Sequence, residues 1–199
     1  MQYTAAYRNC KAANDLAVEA LAEDDLVRGY AQAAYGSYLQ YYQAPELAFL
    51  PLKQSLQSLP KLDPKTSLPY RRILNSTIKM AIELGQLEDA ARLHATNLAL
   101  LEAHRDSFSL ARYIYNYGFF LQGAGYHERA IEAFDAGIGL FDAPTAKQPR
   151  LWYVNLLESK SHALIANQQF ALGIDHLKEA YLTRKDFNPA GMALEEIEQ

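Results

Sequence analysis

Apolar residues in this chain recur every three or four positions, and the pattern persists along nearly its whole length. That period puts them on one face of a helix. No segment shows the sustained apolar–polar alternation, bounded by hairpin turns, that a half-buried strand would need. The pattern breaks at Asp63–Pro69, His104–Ser109, Asp142–Pro149 and Arg184–Gly191. These stretches collect Pro, Asp, Asn and Ser, which favour caps and turns over helix interiors. They are too short for domain linkers, and they are roughly evenly spaced. The expectation is an all-α chain made of repeated units.

Comparing the chain with itself yields four units, starting at Gly29, Arg71, Ala111 and Val154 and separated by 42, 40 and 43 residues. Counted from each start, the eighth position holds Gly36, Ile78, Gly118 and Ser161, and the twentieth holds Ala48, Ala90, Ala130 and Gly173. The eleventh holds Leu39, Ala81, Leu121 and Leu164; the twenty-fourth holds Leu52, His94, Phe134 and Leu177. Small residues at the eighth and twentieth positions are expected to face each other where two antiparallel helices cross closely, with larger residues filling the flanking core. Gly118 is the clearest case. A glycine inside a helix costs about 1 kcal/mol relative to alanine, and a close approach to the helix carrying Ala130 is expected to offset it. In this register Tyr117 and Phe134 belong to the core, while Tyr115 and Phe119 face outward. Ile78 should hold the two helices of the second unit further apart.

The units resemble tetratricopeptide repeats. The residues that carry the resemblance are Tyr115-Asn116-Tyr117-Gly118, Leu121, Gly125-Tyr126, Ala130-Ile131-Glu132 and Phe134, and it extends over roughly residues 29–183. The chain departs from the family at Ile78, at Asn97 and Gly137 where alanine is usual, and in a period longer than the family's ~34 residues. The resemblance implies an α-solenoid: a right-handed superhelix of antiparallel helix pairs, with about four repeats plus terminal helices. The whole chain, 1–199, is expected to form one such domain. Repeats are expected at 29–70, 71–110, 111–153 and 154–188, after an N-terminal helix or half-repeat over 1–28. Residues 189–199 would begin a capping or linker helix.

Candidate chemistry is sparse. The single cysteine, Cys10, permits neither an internal disulfide nor a Cys-based metal site. Histidines 94, 104, 127, 162 and 176 share no ligand spacing, and His94 falls at a core position. His127-Glu128 is followed by Arg-Ala-Ile, so it is not a zinc-binding HExxH helix. The glycine pairs at Gly123-Ala124-Gly125 and Gly137-Ile138-Gly139 do not follow strands, which argues against a phosphate-cradling loop. The sequon Asn75-Ser76-Thr77 lies in the middle of a helix pattern. A formal net charge of −4 gives no reason to expect nucleic-acid affinity. No run of 18 apolar residues and no apolar leader is visible, so neither membrane insertion nor export is expected, and a cytoplasmic location is. No enzyme activity, cofactor or metal is anticipated.

What remains is a surface. In a stack of this kind the first helix of each unit lines the concave face through its second, fifth, ninth and twelfth positions. These are Tyr30, Ala33, Ser37 and Gln40 in the first unit, and Arg72, Asn75, Lys79 and Ile82 in the second. The third contributes Arg112, Tyr115, Phe119 and Gln122, with Asn116 beside them; the fourth contributes Asn155, Glu158, His162 and Ile165. The middle of this set is basic and aromatic although the chain as a whole is acidic. Such a groove would suit a peptide or partner protein carrying acidic groups beside an apolar anchor. The family's C-terminal carboxylate mode maps onto Asn75 and Lys79, Asn116, then Asn155 and Ser159. Asn116 fits, but the first pair is reversed and the last repeat lacks its cations, so that mode is not expected. The function expected is a non-enzymatic interaction scaffold. The alternative is a sensory or regulatory module of a larger signalling protein, and homo-oligomerisation through terminal repeat faces is a further expectation.

Overall fold

The computed structural model describes residues 5–42, 44–58, 68–102, 107–141 and 147–187. Among these residues every regular element is a helix. In chain order they are α1 (Ala5–Ala20), α2 (Leu26–Tyr41), α3 (Pro45–Ser58), α4 (Leu68–Glu83) and α5 (Leu87–Glu102). They continue as α6 (Ser107–Gly123), α7 (His127–Ile138), α8 (Lys147–Ala166) and α9 (Phe170–Phe187). The chain divides into two compact units, 1–104 and 105–199. In the first, α1 packs on α2, and the pairs α2–α3 and α4–α5 are joined through α3–α4, with α2 also alongside α4. In the second, α6–α7 and α8–α9 are joined through α7–α8, with α6 alongside α8. The architecture is all-α, built of adjacent helix pairs.

The helices outrun the breaks read from sequence. Pro69 sits in the first turn of α4 and Pro149 in the first turn of α8, while Ser107 to Ser109 open α6 and Arg184 to Phe187 close α9. Proline is tolerated at a helix start because its missing N–H would have no intrahelical acceptor there. At the head of α2, the acidic run Glu23-Asp24-Asp25 ends in a cap: the Asp25 carboxylate accepts from the backbone N–H of Val27 at 2.8 Å.

Three hairpin turns share one geometry. Gly85 N–H donates to Ile82 and Gln86 N–H to Ala81; Gly125 donates to Gln122 and Tyr126 to Leu121; Gln168 donates to Ile165 and Gln169 to Leu164. The central residue takes a left-handed conformation in each, with φ of 70°, 86° and 62°. Glycine fills it twice without strain, whereas Gln168 carries a Cβ into a region costly for L-residues.

The core follows the repeat. Leu39, Ala81, Leu121 and Leu164 are buried, as are Ala48, Ala90 and Ala130. Leu52 and Phe134 are fully enclosed. Around Gly118 the structure supplies the neighbour for the expected close approach. A Cβ there would lie 2.5 Å from Cε1 and 2.8 Å from Cδ1 of Phe134, so the glycine makes room for that ring, on the helix that carries Ala130. Gly36 does the same two repeats earlier, where a Cβ would lie 2.6 Å from Cγ of Leu52. The eighth position therefore houses the side chain from the twenty-fourth. In the fourth repeat the eighth and twentieth positions do face each other: the Ser161 hydroxyl donates to the Gly173 carbonyl at 2.6 Å, and a Cβ on Gly173 would lie 3.1 Å from the Ser161 carbonyl oxygen and 2.6 Å from Cγ1 of Ile165. Where Ile78 replaces the small residue, α4 and α5 pack least extensively of the four pairs. Tyr117, expected in the core, is only half-buried, and burial pushes its phenol above the ordinary range.

Candidate partner-binding surface

In the second unit the first helices α6 and α8 lie side by side. Arg112, Tyr115, Asn116 and Phe119 sit at i, i+3, i+4 and i+7 along α6 and so share a face. Phe119 is 54% exposed despite its size. Its ring stacks on Tyr115, with centroids 6.1 Å apart and planes 17° from parallel. Tyr115 is half-buried. It meets Trp152 of α8 edge-on at 5.4 Å and approaches the buried Phe134 at 6.3 Å. Tyr115 is thus both packing and platform: it ties α6 to α7 and α8 and supports the exposed ring above it. The Arg112 guanidinium lies over the Tyr113 ring at 5.4 Å, a cation–π contact that holds the charge beside this aromatic patch.

On α8, Asn155 is half-buried and His162 exposed. Glu158 is held by Arg184 of α9 at 2.6 Å, with both side chains about a third exposed. Its carboxylate is therefore paired within the fourth repeat. Trp152 is the residue that sequence reasoning missed, because it falls two positions ahead of the repeat start at Val154. A usable signal was present. Trp152, Asn155 and Ser159 lie at i, i+3 and i+7, so the chain's single tryptophan shares a helix face with a candidate position.

The first unit carries its own share. On α4, Arg72 is exposed and Asn75 half-buried. Lys79 forms an ion pair with Glu83 at 3.5 Å, so its charge is partly met by its own helix. Two residues assigned to the groove are core instead: Ala33 is 5% and Ile82 1% exposed. The reason is angular. At 3.6 residues per turn the twelfth position lies about 40° from the eighth, which is core. Ile165 confirms this by packing against Gly173 across its hairpin. Thr77 of the sequon is buried with its hydroxyl on the Ile73 carbonyl at 2.8 Å, which leaves the sequon inside a packed helix. His94, expected in the core, is half-buried, and that burial holds it to about pKa 4.

Solved structures share this arrangement. A kinesin light chain from Podosopora anserina, described as having nearly identical TPR-like repeats, superposes with a TM-score of 0.70 at 14% identity. The match covers 91% of this chain and 86% of that one. A single-substitution variant of it matches at 0.70 and 13%, covering 92% and 87%. BtubC (BKLC) from P. vanneervenii matches at 0.60 and 13%, covering 92% of this chain and 72% of that one. No protein-family model matches the sequence, and no curated protein matches it either. At such low identity the likeness speaks to fold: the chain has a TPR-like helical-repeat fold. No helix among the described residues is long and apolar enough to cross a membrane.

Proposed function

We propose that this protein is a non-enzymatic interaction scaffold that binds a peptide or partner protein on the outward faces of its first helices. The ligand is an acidic segment with an aromatic or aliphatic anchor. The observation that carries this reading is Phe119, a large apolar side chain left 54% exposed yet fixed by stacking on Tyr115. A rigid aromatic presented to solvent loses little conformational entropy on binding, which is how interface anchors gain their energy. Arg112 on the same face, and Arg72 on α4, supply positive charge for carboxylates. Asn75, Asn116 and Asn155 offer amides that can pair with an extended backbone. Lys79 contributes more weakly because Glu83 competes for it.

The test is a fluorescence-anisotropy screen of acidic peptides bearing Phe, Leu or Trp anchors, against wild type and variants. Phe119→Ala should weaken each bound peptide by roughly tenfold, the loss expected on truncating an anchor. The triple variant Arg72→Glu, Lys79→Glu, Arg112→Glu should abolish binding of acidic peptides. Unchanged affinity of every bound peptide for the triple variant would refute the proposal.

A further inference from the structure

Helix α2 has two faces without charge. One is buried, through Gly29, Gln32, Ala33, Gly36 and Leu39. The other meets solvent: Val27 is 65%, Tyr30 42% and Tyr41 81% exposed, and Ala34 and Ser37 between them are exposed as well. These five stand at i, i+3, i+7, i+10 and i+14, the spacing of a coiled-coil seam. Tyr41 is braced from behind. It meets Tyr42 edge-on at 5.2 Å, Tyr42 lies against Tyr38 at 4.7 Å, and Tyr38 meets Tyr7 of α1 at 5.8 Å.

Charged residues make up 21% of the chain, yet residues 29–45 contain none. Arg28 is the only charged residue of α2, and its guanidinium donates to the Leu21 carbonyl at 2.9 Å. Tyrosine supplies five of the fourteen residues 29–42, and tyrosine enrichment with charge depletion is the composition of an interface core. The seam therefore suits an equally uncharged helix face and not the acidic segment proposed for α4 and α6. A second α2 offers such a face. Charge and size then set its direction. A parallel pair would place the acidic run Glu23-Asp24-Asp25 against its own copy, whereas an antiparallel pair separates the two runs and aligns the helix dipoles favourably. Antiparallel pairing about Ala34 sets Val27 opposite Tyr41 and Tyr30 beside Ser37, each ring over a smaller side chain. Ala34, small and at the crossing, lets the helices approach closely.

We propose that two copies of this chain associate through α2, antiparallel, with Ala34 on the two-fold axis. The interface is isologous, so each Val27 meets Tyr41 of the other copy. With about 150–250 Å² for a buried aromatic side chain, the exposed parts of the five seam residues sum to roughly 400–500 Å² per copy. Both copies together bury roughly 1,000 Å², the lower limit for a specific association. The dimer is accordingly weak and concentration-dependent. It uses neither the ends of the repeat array nor Phe119.

The experiment is sedimentation equilibrium of the full chain from about 10 µM to 1 mM, the range of weak associations. The average mass should rise toward twice that of one chain. Ala34→Arg and Tyr41→Glu, both at exposed sites, should each weaken association at least tenfold. Oxidative crosslinking in a Cys10→Ser background reads the geometry. Ala34→Cys should link two copies. Val27→Cys should not, because antiparallel helices crossing at Ala34 hold the two Val27 positions about 20 Å apart, beyond the reach of a disulfide. Four results would overturn the proposal: a monomer mass at every concentration, which would leave the seam to an uncharged helix of another protein; association unchanged in Ala34→Arg and Tyr41→Glu; no link through Ala34→Cys; or a link through Val27→Cys as strong as that through Ala34→Cys, which marks a parallel pair.

Discussion

Replacing Gly118 with alanine pits two well-separated effects against each other. On helix propensity alone the variant should gain about 1 kcal/mol, because glycine is the poorer helix former by that amount. The structure opposes this. The new methyl carbon would sit 2.5, 2.8 and 2.9 Å from three atoms of the Phe134 ring. That ring has no exposed surface through which to retreat. Overpacking of this kind costs about 1–3 kcal/mol, and three simultaneous close approaches to a rigid ring argue for the upper part of that range. The net expectation is a destabilisation of about 1–2 kcal/mol. Trp152 supplies the assay: it is the single tryptophan, and it contacts Tyr115 within the unit that holds Gly118. Its fluorescence therefore follows unfolding of that unit in urea. With a denaturant slope of about 1–3 kcal/mol/M, the midpoint should fall by roughly 0.5–1 M. Phe134→Leu in the same chain should relieve the clash, so the double variant should lose at least ~1 kcal/mol less than the sum of the two single losses. A Gly118→Ala midpoint above wild type, near the bare propensity gain, would refute the packing argument.

Gln168→Gly should stabilise the second unit by about 1 kcal/mol, since Gln168 occupies at φ 62° the turn position that glycine fills at Gly85 and Gly125; urea titration followed by Trp152 checks it. His94 is ordinarily protonated near pH 6.5 but is held by burial to about 4 in the folded chain. The unfolded state then takes up the proton first, so stability is fully present above pH 6.5 and declines as pH falls toward 4. The loss should amount to roughly 3 kcal/mol, and His94→Leu should flatten that part of a stability–pH profile. Phe119→Ala should change stability by less than about 0.5 kcal/mol because the ring is mostly exposed. Tyr115→Ala, by contrast, should cost roughly 2 kcal/mol or more, since it removes contacts to Phe134 and Trp152 together. Equal losses in thermal melts would remove the distinction between platform and anchor.

Much of the candidate surface was legible because a helix converts sequence spacing into direction. Arg112, Tyr115 and Phe119 could be placed on one face without coordinates. Ala33 and Ile82 could not be excluded from it, because near the edge of a face the core boundary depends on how closely the neighbouring helix approaches. Trp152 lay outside the counted register, and only the side-by-side contact of α6 with α8 brought its ring to Tyr115. The ion pairs Glu158–Arg184 and Lys79–Glu83 were equally hidden. The second lies within one helix turn, yet whether a flexible lysine folds back on its own helix is settled by its surroundings.

The all-α class, the repeat period and the rows of small and large residues follow from residue spacing alone, since these are periodic properties carried locally along the chain. The tertiary structure decided which of those residues meet. Gly118 had to be small whatever it faced, and its helix position said nothing of which neighbour claimed the space. The side chain nearest to it is that of Phe134, because the offset of one helix along another is set by how their side chains interlock. Contact partners are a property of two helices together, and no single stretch of chain encodes them.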